Sequence, residues 1–96
     1  MSDLFAVQTT PRFDRLLKKL SRHHPDLAGR FAEASAVLRS DPYNRSRTHR
    51  IKKLQDVPAE DGQYRLRLGR WRFRFNVWGQ EVELTYCGLR REETYR

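Results

Sequence analysis

The chain has 96 residues, 33% of them charged and 38% hydrophobic, with 20 Lys and Arg against 12 Asp and Glu for a net charge of +8. A chain of this length buries only about 60–65% of the surface its unfolded form exposes, so residues 1–96 are read as one domain with a lean core, and a two-domain enzyme with its own cofactor-binding half is excluded. The longest aliphatic or aromatic run is Leu4–Val7, far short of the ~20 residues of a membrane helix, and the single cysteine, Cys87, allows no intrachain disulfide. With no signal pattern at its start, the sequence reads as a soluble cytoplasmic domain. Its charge calls for an anionic partner: nucleic acid, an acidic membrane surface or an acidic protein.

Leu4–Gln8 is an apolar run suited to an opening strand. Thr10 then stands as a helix N-cap with Pro11 at the first helical position. Phe13, Leu16, Leu17 and Leu20 follow at the spacing of one helical face. Asp14 near the start and Lys18, Lys19 and Arg22 near the end suit the helix dipole. His23-His24-Pro25 ends this helix, because a residue before proline is pushed out of the helical region. A second helix starts near Pro25–Asp26, carries Leu27, Phe31, Ala34 and Leu38 on one stripe, and ends at Ser40-Asp41-Pro42. The short connection predicts an antiparallel helix hairpin. Asp41–Arg50 reads as an exposed basic loop, Ile51–Leu54 as a short strand, and Gln55–Gly62 as a loop.

The second half alternates with a period of two, the signature of strands. Tyr64, Leu66 and Leu68 alternate with Arg65 and Arg67. Trp71, Phe73, Phe75 and Val77 alternate with Arg70, Arg72, Arg74 and Asn76. Val82, Leu84 and Tyr86 alternate with Glu83, Thr85 and Cys87. Gly69-Arg70 and Gly79-Gln80 sit between the segments as two-residue turns, so an antiparallel meander is expected.

Charge concentrates in the same half. Residues 1–44 hold seven Lys/Arg against five Asp/Glu, whereas residues 45–96 hold thirteen against seven, and eleven of those thirteen are arginine. Arginine's planar fork matches phosphate oxygens and stacks on bases. With Gly69-Arg70 as a two-residue turn, Arg67 faces Arg72 and Arg65 faces Arg74. These four form a two-by-two block on the sheet face that the helices leave uncovered. Like charges directly opposite each other destabilise a sheet, and a polyanion on that face reverses the effect. Glu83, diagonal to Arg74 in this register, offsets part of the charge. The second turn sets Arg74 opposite Thr85 and Arg72 opposite Cys87. That would put Tyr86 on the apolar face and Cys87 on the basic one, with its thiol pKa depressed by Arg72. Arg90 leaves the last strand on the basic side, and Tyr95 is placed to fold back toward it. No glycine-rich phosphate loop and no zinc-spaced Cys/His set is present.

The order of strand, helix hairpin and basic meander, with the strings Lys52-Lys53-Leu54, Gln63-Tyr64-Arg65-Leu66-Arg67-Leu68-Gly69-Arg70-Trp71-Arg72-Phe73 and Gly88-Leu89-Arg90-Arg91 through Tyr95, resembles the RelE/ParE superfamily of bacterial type II toxins. Within it, the RelE-like messenger-RNA endonucleases are the nearer branch. The resemblance implies an α+β fold: a small antiparallel β-sheet with an N-terminal helix hairpin packed on one face. It implies a toxin that enters the ribosomal 30S A site and cuts the messenger there by 2′-hydroxyl attack, with no metal and no cofactor. The partners implied are mRNA on the ribosome and a cognate antitoxin, the toxin being a monomer within that complex, with no membrane involved.

Carried over by position, the resemblance gives catalytic roles to Arg67, Arg72, Arg90 and Tyr95. Arg72 and Arg90 would stabilise charge on the cleaved phosphate, and Tyr95 would stack on the nucleotide or take part in proton transfer. Arg65, Arg74, Lys52, Lys53, Arg70 and Arg91 are expected to hold the RNA. Arg65 and Arg67 occupy positions where the family often has lysine or arginine, and arginine is a poor general base where a lysine would otherwise act. The proton acceptor is then Tyr95, His49, a ribosomal group or water. Two other readings share the sequence features: a ParE-like DNA gyrase inhibitor, and a catalytically weak RNA-binding homologue.

Overall fold

A computed structural model describes residues 4–90. Arg91 and Tyr95 lie outside the described residues. The first strand, β1, is Ala6–Thr9; two helices follow, α1 at Pro11–Ser21 and α2 at Leu27–Ser40. A short strand β2 at Ile51–Lys53 and a single 3-10 turn at Ala59–Asp61 lead to β3 at Tyr64–Leu68, β4 at Trp71–Trp78 and β5 at Glu81–Leu89.

The five strands form one sheet in the order β1-β5-β4-β3-β2. Strands β2 to β5 pair antiparallel, as alternation and turn spacing predict. The expected all-antiparallel sheet is corrected at one edge: β1 runs parallel to β5, with Ala6 opposite Glu81 and Thr9 opposite Leu84. The two helices form the crossover between β1 and the meander, and a parallel pair requires such a long connection. The α+β class therefore stands, with a mixed sheet.

Local signals explain most boundaries. Thr10 Oγ1 accepts the Phe13 N–H at 3.1 Å, and Pro11 begins α1. Gly69 and Gly79 each sit at φ +61 while the residue after each does not have positive φ, the backbone pattern of a II′ hairpin. The Gly69 turn delivers the expected pairing residue for residue, Leu68 with Trp71, Arg67 with Arg72, Leu66 with Phe73 and Arg65 with Arg74.

Phe13, Leu27, Ala34 and Leu38 of the helices pack against Leu66, Trp71, Phe73, Phe75, Val82, Leu84 and Cys87 of the sheet, all fully buried. One face of the sheet is thus spent on the core. The 41–50 segment is a loop, but a knitted one. Asp41 accepts from the Arg45 and Ser46 N–H groups and the Ser46 hydroxyl, while Asn44 brackets the His49 backbone on both sides.

Asp26 is the N-cap of α2 but does not cap it with its side chain. Its carboxylate instead accepts from the Trp71 indole at 2.9 Å and from Arg70 at 3.1 Å, tying the helix to the β3–β4 turn. Those two hydrogen bonds, Trp71 first and then Arg70, lower its pKa from 3.8 to about 2. A depressed carboxyl stabilises the fold above its unfolded pKa and loses that contribution as pH falls through the folded one. The melting-temperature gap between the native chain and Asp26→Asn should accordingly be present at pH 7, shrink below about pH 4 and close near pH 2. Thermal melts across that range check it, and a gap independent of pH would refute the tie.

Candidate nucleic-acid interface

The pairing builds two rows of side chains across the sheet face opposite the core. One row runs Lys52, Arg65, Arg74, Tyr86. The other runs Arg67, Arg72, Gly88, and Arg50 extends it beside β3, since the Arg67 N–H donates to the Arg50 carbonyl at 3.0 Å. Arg90 follows β5 on the same parity, its N–H bonded to the Arg70 carbonyl at 3.0 Å. The four predicted arginines are therefore brought together, with Lys52 and Arg90 beside them. Arg50, at the end of the basic loop, joins them. Its signal is the alternation itself, because Arg50 and Lys52 flank Ile51 at strand spacing.

Crowding of like charge is visible in the energetics. The Arg67 pKa is pulled below the ordinary arginine value by burial first, then by repulsion from Arg50, Arg90 and Arg65. It remains a cation at neutral pH, because arginine starts so high. Its Nε is buried and makes no hydrogen bond among the described residues. A cleft of about 210 Å³ lies beside it, lined by Arg50, Ile51, Lys52, Arg65 and Arg67. Arg72 is only 4% exposed, deeper than an open sheet face implies, and its Nη1 donates to the Trp71 carbonyl at 3.4 Å. Arg74 Nε donates to the Gly62 carbonyl at 3.1 Å. Gly62 has φ +84, and a Cβ there would come within 2.5 Å of Thr85 Oγ1, so glycine alone lets the 55–62 loop lie this close. That loop brings Asp61 to Arg12 at 3.1 Å. Glu83 Oε1 accepts from Asn76 at 3.1 Å and Trp78 at 3.2 Å, both away from the arginine rows along β4.

Several predicted positions are corrected. The β4–β5 register slips between Arg74 and Phe75, so Thr85 is the extra residue of a bulge. Arg74 therefore faces Tyr86 rather than Thr85, and Arg72 faces Gly88 rather than Cys87. Tyr86 moves to the arginine face and Cys87 into the core opposite Phe73. Burial pushes the Cys87 thiol up to about 12, the reverse of the expected depression. In the folded protein it should resist thiol-modifying reagents at pH 8 and react fully only in denaturant, as mass spectrometry of the adduct would show. Rapid native labelling would place it on the surface after all.

Lys53 pairs with Tyr64 and holds its ammonium 5.8 Å from that ring centroid, on the opposite parity to Lys52. Arg70 is committed to Asp26 and lies 5.7 Å from the Trp71 ring centroid, on the helix side of the turn. Neither belongs to the rows. His49 lies 3.8 Å from Asp41 and lines a different cleft, of about 890 Å³, with Phe5, Tyr43 and Gln80. Its carboxylate, Asp41, is occupied by the Arg45 and Ser46 N–H groups. Among the described residues no three His, Cys, Asp or Glu side chains gather as a metal site, and no helix is long and apolar enough to cross a membrane. No family model, no curated protein and no solved structure matches the chain.

Proposed function

We propose that the arginine rows bind the phosphate backbone of single-stranded RNA and that the chain is a RelE-like toxin, cutting mRNA in the ribosomal A site. The observation that carries this reading is the convergence of Arg50, Arg65, Arg67, Arg72, Arg74 and Arg90 on one sheet face, where burial and then mutual repulsion lower the Arg67 pKa. A polyanion laid along those rows offsets like-charge repulsion across the strands. In the reaction the 2′-oxygen attacks the adjacent phosphorus as the P–O5′ bond breaks. The 2′ proton passes to a base, and the 5′-oxygen leaves and takes up a proton. The products are a 2′,3′-cyclic phosphate and a 5′-hydroxyl. Arg72 and Arg90 stabilise the charge that builds on the phosphoryl oxygens. Arg65, Arg67, Arg74, Lys52 and Arg50 hold the flanking phosphates. In this reading the ribosome presents the substrate to the sheet face. A cognate antitoxin would cover the same face with acidic side chains.

A second reading, RNA binding without cleavage, is favoured by arginine standing at both positions where a lysine base is expected. Primer extension on translating ribosomes separates the two. Cuts within A-site codons, with the stated end groups, support the endonuclease. Salt-dependent RNA binding with intact messenger supports the binding module. Gyrase-dependent DNA breaks with intact mRNA would overturn both in favour of the ParE-like alternative.

A further inference from the structure

We infer that Tyr86 is an RNA-contacting residue whose hydroxyl donates to a phosphate oxygen held between Arg72 and Arg74, an inference that rests on the RNA-binding reading of this face. Three independent features converge on that side chain. The bulge at Thr85 reverses the parity of β5, so Tyr86 stands opposite Arg74 in the arginine row instead of entering the core. Bulges commonly re-aim a side chain in this way.

Gly88 supplies the second feature. It is the cross-strand partner of Arg72, and a Cβ at this position would collide with Tyr86 Oη, with the ring carbon Cζ only 2.8 Å away. The phenol thus lies along the strand and fills the place that a side chain opposite Arg72 would take. Side chains paired across antiparallel strands start about 4.5–5.5 Å apart, so the hydroxyl lies within reach of any anion bound by Arg72. Any larger residue at position 88 would occupy that space.

The third feature fixes the ring. The Arg12 guanidinium carbon lies 5.5 Å from the Tyr86 ring centroid, and Arg12 is held by Asp61 at 3.1 Å. A cation over a tyrosine ring is an attractive contact. It joins α1 and the 55–62 loop to one edge of the basic face. Every other group in the two rows with a donor is a cation; the tyrosine adds a neutral O–H. That group places a short, directional hydrogen bond on a phosphate oxygen without adding to the repulsion.

The test is binding of a fluorescein-labelled single-stranded RNA to the full chain, followed by anisotropy across a salt series. Tyr86→Phe keeps the ring and the Arg12 contact and removes only the hydroxyl. It should weaken binding about tenfold, as expected for a hydrogen bond to a charged group, with the salt slope unchanged. Arg72→Ala should instead reduce the slope by about 0.7, the value for one phosphate contact on a single strand. Gly88→Ala, which displaces the hydroxyl while leaving it present, should weaken binding as Tyr86→Phe does. If the native chain binds with a salt slope and Tyr86→Phe binds equally well, the assignment of Tyr86 is wrong and the reading of the face survives. If the native chain binds RNA without salt dependence, or not at all, the reading of the face fails and takes Tyr86 with it.

Discussion

On the proposed endonuclease reading, replacing Arg72 with alanine should lower the single-turnover rate of A-site cleavage by about 10²–10³-fold, the usual loss when one preorganised donor to a developing oxyanion is removed. Arg72 is the strongest candidate for that donor because it sits mid-sheet between Arg67 and Gly88, buried except for 4% of its surface. A guanidinium held this firmly pays little reorganisation when charge develops on the phosphate. Arg72→Lys should recover part of the loss, since it returns the charge without the planar fork that binds two oxygens together. Arg67→Gln separates the chemistry from the fold. Burial first, then repulsion from Arg50, Arg90 and Arg65, lowers the Arg67 pKa, so relieving both should raise the melting temperature at low salt while weakening RNA binding. The gain should fade with added salt as the charges are screened. A melting temperature that falls together with activity in both variants would mean the arginines serve the fold.

The largest effect on stability is expected at Phe73. It is fully buried on β4, the middle strand of the sheet, between Leu66 on β3 and Cys87 on β5, with its ring 6.5 Å from Phe13 of α1. Phe73→Ala should cost about 3–5 kcal/mol through lost burial and the cavity left behind. That is a large part of the roughly 5–15 kcal/mol available to a domain. Urea unfolding checks it: the midpoint should fall steeply while the slope stays constant. A loss under about 1 kcal/mol would not fit a side chain that joins both layers.

The same two residues show what the sequence could and could not reveal. Arg72 and Phe73 lie on a strand whose partner β3 is fixed by a two-residue turn, and Gly69 at φ +61 leaves only one register. Local chemistry therefore settles that hairpin and the arginine block with it. The β4–β5 hairpin begins as cleanly, with Trp78 opposite Glu81 and Asn76 opposite Glu83, then slips at Thr85. A trace of the slip is present in the sequence: apolar residues fall on Val82 and Leu84, then on Cys87 and Leu89, an even-to-odd change of parity. Strict alternation overrode it, which sent Tyr86 to the wrong face and Cys87 with it. Lys53 and Arg70 fall outside the rows for a different reason. Basic character is a property of composition, whereas a face is set by parity, and a turn residue such as Arg70 is free to reach Asp26 on the helix side. The direction of β1 could not be read locally, because a four-residue strand carries the same pattern whichever way it runs.

That edge strand has a bearing on synthesis. Ala6 pairs with Glu81 and Thr9 with Leu84, so β1 emerges from the ribosome early and has no partner until β5 has also emerged. Both helices and the β3–β4 hairpin can form from local contacts before then, whereas closure of the sheet waits for a contact spanning most of the chain, the kind that forms slowly. Tyr86, Gly88 and Arg90 arrive on or after that same strand. A nascent chain would therefore carry its basic cluster incomplete until β5 has emerged and β1 has paired with it.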